Sequence, residues 1–338
     1  MSRERHLYRA MIAVSGGLLL AGCAPHPQST LSPQSDYASN IQNLFMFTVW
    51  VSLVVFAVVV SALLYAAVRF RGKTGDPRPR LLPGNRALEI AWTAAPALIL
   101  TAIAVPTVGL IFQSGGPAPA TALQVTAIGH QWWFEFQYPD QKIVTADEMH
   151  IPVGQPVNIA LKSADVIHSL WVPELAGKRD MIPNHTNYLW FTPEQTGTYP
   201  GQCAEFCGIQ HANMRFSVVV ETPADFAAWV QTQQRTVALP ATAAQQAGAT
   251  VFQQVTCAGC HTIAGTAASG TIGPNLTHFG SRQTIAAGVL PNTPTDLEHW
   301  LQDPDGVKPG NLMGKTVAAG MLSQEQVRDL TAYLESLQ

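Results

Sequence analysis

Two long apolar runs near the beginning of the chain dominate its pattern of hydrophobic and polar positions. Residues 44–68 and 90–112 extend over 25 and 23 positions without a charged side chain. About 20 apolar residues suffice for a helix to cross the hydrocarbon core of a bilayer, so each run is predicted to be a membrane span. A buried core helix of a soluble protein is a poorer interpretation at these lengths.

The segment between the two runs is basic. Asp76 is its only acidic side chain before the second span, and its basic side chains are Arg69, Arg71, Lys73, Arg78, Arg80 and Arg86. Loops rich in lysine and arginine stay on the cytoplasmic side of the membrane. The runs therefore predict a transmembrane hairpin over residues 41–115, with both of its outer ends in the periplasm.

Short alternating segments replace the long runs in the second third of the chain. Residues 122–129 and 156–162 alternate apolar and polar positions, and turn residues separate such segments. This pattern is typical of a β-sandwich or barrel, which is predicted for residues 116–222. A helical linker over residues 223–240 and a third unit over residues 241–338 follow.

The beginning of the chain, residues 1–22, has the pattern of an export signal, with a basic start and a short apolar stretch. Small residues precede Cys23 as in the cleavage box of bacterial lipoproteins, which predicts that Cys23 is lipidated. An ordinary signal peptide and an extra membrane helix are the alternatives, although the apolar stretch is short for a span. Residues 23–40, rich in Pro, Ser and Gln, are expected to form a periplasmic tether.

The composition supports a membrane protein and changes the choice of partners. Hydrophobic residues make up 47% of the chain and charged residues only 12%, so membrane lipid is an expected partner. The net charge of -3 gives no indication of a nucleic-acid partner. The 5 cysteines are too few for a disulfide framework, and each has another predicted use.

The candidate metal chemistry is concentrated in residues 201–214. This stretch contains Cys203, Cys207, His211 and Met214, and His168 lies upstream. Thiolate and thioether are soft ligands that favour copper, whereas imidazole suits both copper and zinc. A closed zinc site of two Cys and two His is the alternative, and Met214 is the residue that speaks against it.

A second chemical motif is Cys257-Ala258-Gly259-Cys260-His261. Its spacing is that of a c-type haem attachment sequence, in which two thiols add to the haem vinyl groups and the histidine binds the iron. A thioredoxin-like cysteine pair is the alternative, but no βαβ pattern surrounds the motif. We therefore predict covalent haem c in residues 241–338.

One ionisable side chain, Glu89, lies where the second span begins. A carboxylate at the membrane edge indicates a functional role by default, and the alternative is a solvated group at the level of the lipid headgroups.

The metal loop resembles that of cytochrome c oxidase subunit II. The resemblance rests on Cys203-x3-Cys207-x3-His211-x2-Met214 together with the distant His168. It implies a cupredoxin fold with a dinuclear copper centre, CuA, in which Cys203 and Cys207 bridge the two ions. His168 and His211 would each bind one copper, and Met214 and the backbone carbonyl of Glu205 would be weak ligands.

The resemblance extends beyond the loop. Residues 129–136 are similar to the aromatic segment of the family, in which the tryptophan at the position of Trp132 is the point where electrons enter. Glu89, three residues before Trp92, would lie at the mouth of a proton-uptake path into subunit I. The Glu205 side chain would share a Mg²⁺ ion with subunit I.

Residues 241–338 resemble class I cytochrome c, an all-α fold. Residues 273–276 match the segment whose proline carbonyl orients the haem histidine, and residues 308–313 match the loop of the axial methionine. Met313 would therefore be the sixth iron ligand. Met321 is the alternative, because the loop before the last helix is longer than usual.

Together these resemblances imply subunit II of a proton-pumping haem-copper oxidase with a fused cytochrome c, in the bacterial inner membrane. External cytochrome c or a cytochrome bc1 complex would reduce haem c, and CuA would pass electrons to subunit I. Oxygen would be reduced in that other subunit. A copper-delivery module and the CuA subunit of a nitric-oxide reductase are the alternative functions.

Overall fold

The computed structural model describes residues 26–72 and 83–338. The predicted export signal, Cys23 and most of the basic segment between the spans lie outside the described residues. Within them, two long helices lead into a β-sandwich, and a mostly helical domain follows it.

The predicted hairpin consists of α1 (Asp36–Arg69) and α2 (Arg86–Gly115), which pack against each other. Both helices are long and apolar enough to cross a membrane. The Ser35 side chain caps α1 by accepting a hydrogen bond from Ala38 N, and Asn85 caps α2 in the same way. Such caps satisfy backbone N–H groups that have no partner within the helix.

The structure differs from the expected tether just before the first span. The helix α1 begins at Asp36 rather than near residue 41, and Ser35 is buried. Gln34 N donates to Glu174 O at 2.7 Å, and the Asp36 carboxylate accepts from Thr192 N at 2.7 Å. These residues are fixed on the sandwich because their polar groups complete its hydrogen bonding.

The sandwich has two five-stranded sheets. In one, the order is β3-β2-β1-β5-β8, and in the other it is β4-β10-β9-β6-β7; only β1/β5 and β4/β10 pair in parallel. The strands are β1 (Leu123–His130), β2 (Trp133–Tyr138), β3 (Ile143–Ala146), β4 (Glu148–Pro152), β5 (Val157–Ser163), β6 (His168–Trp171), β7 (Arg179–Met181), β8 (Asn187–Phe191), β9 (Gly197–Cys203) and β10 (Arg215–Glu221). Alternate side chains, such as those of Phe134, Phe136 and Ile159, are fully buried between the sheets.

The predicted linker begins with a helix that is part of the sandwich. Helix α3 (Pro223–Gln233) packs Phe226, Trp229 and Val230 against the sandwich core. The Trp229 ring stacks on His150 with 4.5 Å between ring centroids. The chain therefore leaves the sandwich only after α3.

The C-terminal domain is helical apart from one short ribbon. Its helices are α4 (Ala243–Gln254), α5 (Cys257–Cys260), α6 (Pro294–Gln302), α7 (Pro304–Val307), α8 (Leu312–Thr316) and α9 (Gln324–Glu335), and the ribbon pairs β11 (Thr284–Ile285) with β12 (Leu290–Pro291). Helices α4 and α9 cross closely at Gly248, where a Cβ atom would lie 2.0 Å from the Asp329 carbonyl oxygen. Phe252 and Tyr333 pack edge to face beside this crossing.

The ribbon joins the cytochrome-like domain to the sandwich. Ala287, at its turn, packs with Trp133 and Ala146 in a small buried cluster, and its carbonyl accepts a hydrogen bond from Arg215 N. The Glu148 carboxylate accepts from the backbone of Gln283 and Thr284. The contact between the two domains is therefore specific and partly buried.

Candidate metal centre and haem cavity

The metal loop is held between neighbouring strands. His168 begins β6 and Cys203 ends β9, and these two strands pair so that Cys203 lies opposite Leu170. The loop from β9 to β10 carries Cys207, a single 3₁₀ turn at His211–Asn213, and Met214. Cys203 N donates to Met214 O at 2.9 Å, which closes the loop at its base.

The five predicted ligand side chains converge, with the sulfur atoms of the two cysteines at the centre. Cys203 Sγ lies 3.7 Å from Cys207 Sγ and 3.9 Å from His168 Nδ1. Cys207 Sγ lies 3.6 Å from His211 Nδ1 and 3.8 Å from Met214 Sδ. The Glu205 carbonyl oxygen is 3.3 Å from Cys203 Sγ. Each sulfur therefore has its own imidazole, and the sulfur–sulfur distance exceeds the ~2.05 Å of a disulfide bond.

This donor set fits copper. Cys203, Cys207, His168 and Met214 are all buried, so few waters compete for a metal. The hydrogen bond with Cys207 lowers the pKa of Cys203 to about 3, and the same contact raises the pKa of Cys207. This contact favours the thiolate form of Cys203, the form that binds a soft metal. A thioether beside two thiols favours copper over zinc.

Asp165 orients the buried histidine and is the residue that sequence reasoning missed. Its carboxylate lies 2.7 Å from His168 Nε2, the ring nitrogen that faces away from the sulfurs, and accepts hydrogen bonds from the Gln131 and Val166 backbones. Burial raises the pKa of Asp165, but the hydrogen bond with His168 and those backbone bonds outweigh it and lower the pKa. Ligating histidines commonly pair in this way with a carboxylate. The only sequence signal is an acid three positions before the histidine.

Trp132 lies between the metal loop and a cavity in the C-terminal domain. Its indole Nε1 donates to the Cys207 carbonyl at 2.9 Å, and the Gln131 side chain donates to the same oxygen at 2.8 Å. A Cβ atom at Gly208, where φ is +118°, would lie 3.0 Å from the Trp132 ring. Trp132 also lines the cavity that contains the haem attachment motif.

The cavity fits a covalent haem. Cys257, Cys260, His261 and Met313 all line it. His261 Nδ1 lies 2.8 Å from the Pro274 carbonyl, which leaves Nε2 free to bind iron. Burial lowers the pKa of His261 and so favours the neutral, ligating imidazole. A Cβ atom at Gly273 would lie 2.5 Å from the His261 ring, so only glycine leaves room for this ring position.

The structure separates the two candidate axial methionines. Met313 is the second residue of α8, lines the cavity and packs against the domain core. Met321 is 50% exposed and is not among the residues that line the cavity. The geometry therefore favours Met313.

Two further predicted side chains are those of Glu205 and Glu89. The Glu205 carboxylate is partly exposed and forms an ion pair with Lys178 at 3.1 Å. Glu89 is exposed in the first turn of α2. Glu205 belongs to the metal loop, but its carboxylate pairs with Lys178 there, and within the described part of the chain neither side chain lines the cavity.

Sequence comparisons place known families along most of the chain. The profile described as "Cytochrome C oxidase subunit II, transmembrane domain" matches residues 27–110, and the one for its periplasmic domain matches residues 141–222. A profile described as "Cytochrome c" matches residues 245–338. The three matches follow the order of the hairpin, the sandwich and the helical domain.

Whole-length relatives have the same description. The chain is 36% identical over 327 residues to cytochrome c oxidase subunit 2 of Alkalihalophilus pseudofirmus, covering 95% of this chain and 94% of the relative. It is 33% identical over 339 residues to cytochrome c oxidase subunit 2 of Bacillus subtilis, with the same coverage of 95% and 94%. A crystal structure of the periplasmic domain of subunit II of cytochrome oxidase of Bradyrhizobium japonicum is 33% identical with a TM-score of 0.33, covering 34% of this chain and 96% of that one.

Proposed function

Because the chain belongs to the cytochrome c oxidase subunit II family, we propose that it carries electrons from an external donor to the oxygen-reducing subunit of the oxidase. Electrons would enter at haem c, pass to a dinuclear copper centre and leave for the haem of subunit I. Oxygen reduction and its coupling to proton pumping would then take place beyond this chain.

The position of Trp132 is the observation that supports this order. The indole of Trp132 donates a hydrogen bond to the Cys207 carbonyl, in the metal loop. Trp132 also lines the cavity that His261 and Met313 line. A delocalised aromatic ring between two redox sites shortens the distance over which an electron must tunnel. Here the Trp132 side chain would belong to both the haem site and the copper site.

The copper centre would be held by the residues that converge in the loop. Cys203 and Cys207 would bridge two coppers, His168 and His211 would bind one each, and Met214 and the Glu205 carbonyl would be weak ligands. Bound there, the copper pair would supply one-electron transfer. The protein's part is to hold the ligands before the electron arrives: Asp165 fixes the His168 ring, and the buried loop excludes water.

The haem would be attached through Cys257 and Cys260, with His261 and Met313 as axial ligands. The Pro274 carbonyl fixes the orientation of His261, and Gly273 allows the close packing of its ring. Methionine as a sixth ligand raises the reduction potential of a haem relative to a second histidine. External cytochrome c, or a cytochrome bc1 complex, is the proposed donor.

Contacts with subunit I would form at two levels. Near the metal loop, Phe206 is 76% exposed beside Glu205, and the Glu205 carboxylate would exchange its ion pair with Lys178 for a shared Mg²⁺. At the opposite membrane face, Glu89 would collect protons for subunit I. The sandwich and the cytochrome domain would then lie in the periplasm of a bacterium, and Cys23 would add a lipid anchor.

The test is an electron paramagnetic resonance spectrum of the purified oxidase. Seven copper hyperfine lines from one electron shared over two ions are expected, and Cys203→Ser is expected to abolish them, since one remaining thiolate cannot bridge a pair. A single-copper pattern in the unmodified oxidase would refute the dinuclear assignment.

The electron order is tested by flash reduction. After a flash reduces haem c, copper is expected to become reduced as the haem is reoxidised, and Trp132→Phe should slow that step while both optical spectra stay unchanged. Oxygen uptake by the same preparation, compared with nitric-oxide uptake, identifies the reaction of the partner subunit.

A further inference from the structure

Lys308 is a lysine of the C-terminal domain that is buried against the sandwich. It is only 4% exposed, and it is the one lysine among the buried side chains of residues 26–72 and 83–338. Removing an ammonium group from water is costly unless hydrogen-bonding partners replace the water. A buried lysine at a contact between domains therefore requires an explanation.

The ammonium group of Lys308 joins three segments of the chain. Its Nζ atom donates to the Trp132 carbonyl at 2.7 Å, across the domain boundary. It also donates to the Ala286 carbonyl, in the turn of the β11–β12 ribbon, at 3.2 Å. Lys308 itself lies five residues before Met313. One side chain thus ties the methionine loop to the ribbon and to the tryptophan segment.

The residues that follow Lys308 also contact the metal loop. The Gln210 side chain donates to the Pro309 carbonyl at 2.5 Å. Gly310 adopts a φ of +81°, and a Cβ atom there would lie 3.2 Å from Ile209. The turn at residues 308–310 therefore sits directly on the loop that carries Cys207, with Lys308 as its charged anchor.

The surrounding charge is compatible with an ammonium at this place. Asp147 of the sandwich is buried and its negative charge favours a positive Lys308, whereas burial lowers the lysine pKa to about 8. The negative charge of Asp147 opposes the effect of burial on the Lys308 pKa. Hydrogen bonds donated by charged groups are stronger than neutral ones, and two of them converge here.

We propose that Lys308 is a positioning residue that holds the axial-methionine loop against the Trp132 backbone, so that the haem and the copper loop keep one fixed geometry for electron transfer. This inference rests on the proposed function, because it assumes that electrons pass from haem c to copper past Trp132. It assigns to Lys308 no contact with a reacting atom. Its effect would be exerted through the Trp132 carbonyl and through residues 309 and 310.

Three variants of the complete oxidase test this role. Lys308→Met keeps the apolar stem and removes the donors, Lys308→Arg restores a charged donor, and Lys315→Met removes an exposed lysine from the same region as a matched control. In all three, the haem c spectrum and the copper resonance spectrum are expected to match those of the unmodified oxidase.

The first readout is the rate of electron transfer from flash-reduced haem c to copper. This rate is expected to fall about ten-fold in Lys308→Met, because the two redox sites lose their fixed geometry. The rate should largely recover in Lys308→Arg and should stay unchanged in Lys315→Met. The second readout is amide hydrogen exchange at residues 131–134 and 306–311. Exchange in both segments should rise together by about ten- to a hundred-fold in Lys308→Met, as expected for the loss of charged hydrogen bonds.

The outcomes separate this proposal from the proposed function. Faster exchange with an unchanged transfer rate would overturn the positioning role, and so would a slow rate that Lys308→Arg fails to recover. If Lys308→Met does not assemble, Lys308→Gln takes its place, and an unchanged transfer rate in that variant overturns the proposal. Failure of the unmodified oxidase to transfer electrons from haem c to copper would instead refute the proposed function.

Discussion

Replacing Gly129 with alanine is expected to disturb the copper centre while leaving the sandwich folded. A Cβ atom at this position would lie 2.7 Å from Cδ2 of the His168 ring and 2.9 Å from its Cγ. Non-bonded carbon atoms settle at about 3.5–4.0 Å, so one partner must retreat by roughly 0.8 Å.

The ring, and not the strand, is expected to move. Gly129 pairs with Phe134 on one side and with Ser163 on the other, and its carbonyl accepts a hydrogen bond from Ala164 N. The His168 ring has one short hydrogen bond, to Asp165 at 2.7 Å. Overpacking of this kind costs about 1–3 kcal/mol. If that cost falls on the metal-bound state, copper affinity drops by about 5- to 150-fold.

The assay combines copper per chain, measured during titration with a copper chelator, with the resonance spectrum of the bound copper. Gly177→Ala is the matched control in the same domain, because a Cβ atom there would meet the Tyr37 ring at an ordinary 3.5 Å. Two tightly bound coppers with an unchanged spectrum in Gly129→Ala would refute the reasoning that this contact sets the His168 position.

Three further expectations follow from other parts of the chain. Met313→Leu should abolish the sulfur-to-iron absorption band and lower the haem potential, whereas Met321→Leu should change neither; the reverse result would move the axial ligand to Met321. Glu89→Gln should slow steady-state oxygen uptake but leave electron transfer from haem c to copper unchanged, because Glu89 lies one membrane thickness, ~30 Å, from the periplasmic side. If the variant and the unmodified oxidase take up oxygen equally fast across pH, Glu89 has no role in proton uptake. Burial lowers the pKa of His150, but its contacts with the carboxylates of Glu148 and Glu221, at 3.9 and 3.3 Å, outweigh this and raise it. The contribution of His150 to stability is therefore fully present below pH 6.5 and is lost as pH rises through the raised pKa. The difference in unfolding free energy between the protein and His150→Gln should therefore shrink at alkaline pH, and a constant difference would contradict this cause.

The features that could be predicted from the sequence are those encoded by neighbouring residues. Cys203, Cys207, His211 and Met214 lie in one loop, so their spacing alone brings them together. The haem attachment motif is contiguous, and the two spans are visible as uninterrupted apolar runs. The hairpin, the sandwich and the cytochrome domain were all predicted in the order in which they occur.

The features that escaped prediction depend on contacts between distant segments. Asp165 becomes meaningful only when its carboxylate is found beside His168, and a single acid three positions away is too common to be a signal. Lys308 reads in sequence as an ordinary member of the methionine loop, because its partner Trp132 lies 176 positions earlier. For residues 34–36 the low apolar content predicts a free tether. Their backbone and side-chain hydrogen bonds to the sandwich leave no trace in the composition.

The early start of α1 has a mechanical consequence. At 1.5 Å per residue, its 34 residues extend over about 51 Å, well beyond the ~30 Å of the hydrocarbon core. The eight residues before the apolar run, 36–43, therefore form a rigid post of about 12 Å above the membrane. Ser35 and Asp36 are hydrogen-bonded to the sandwich at the top of this post. A movement of the first membrane helix is therefore passed directly to the sandwich, because no free segment of chain lies between the two.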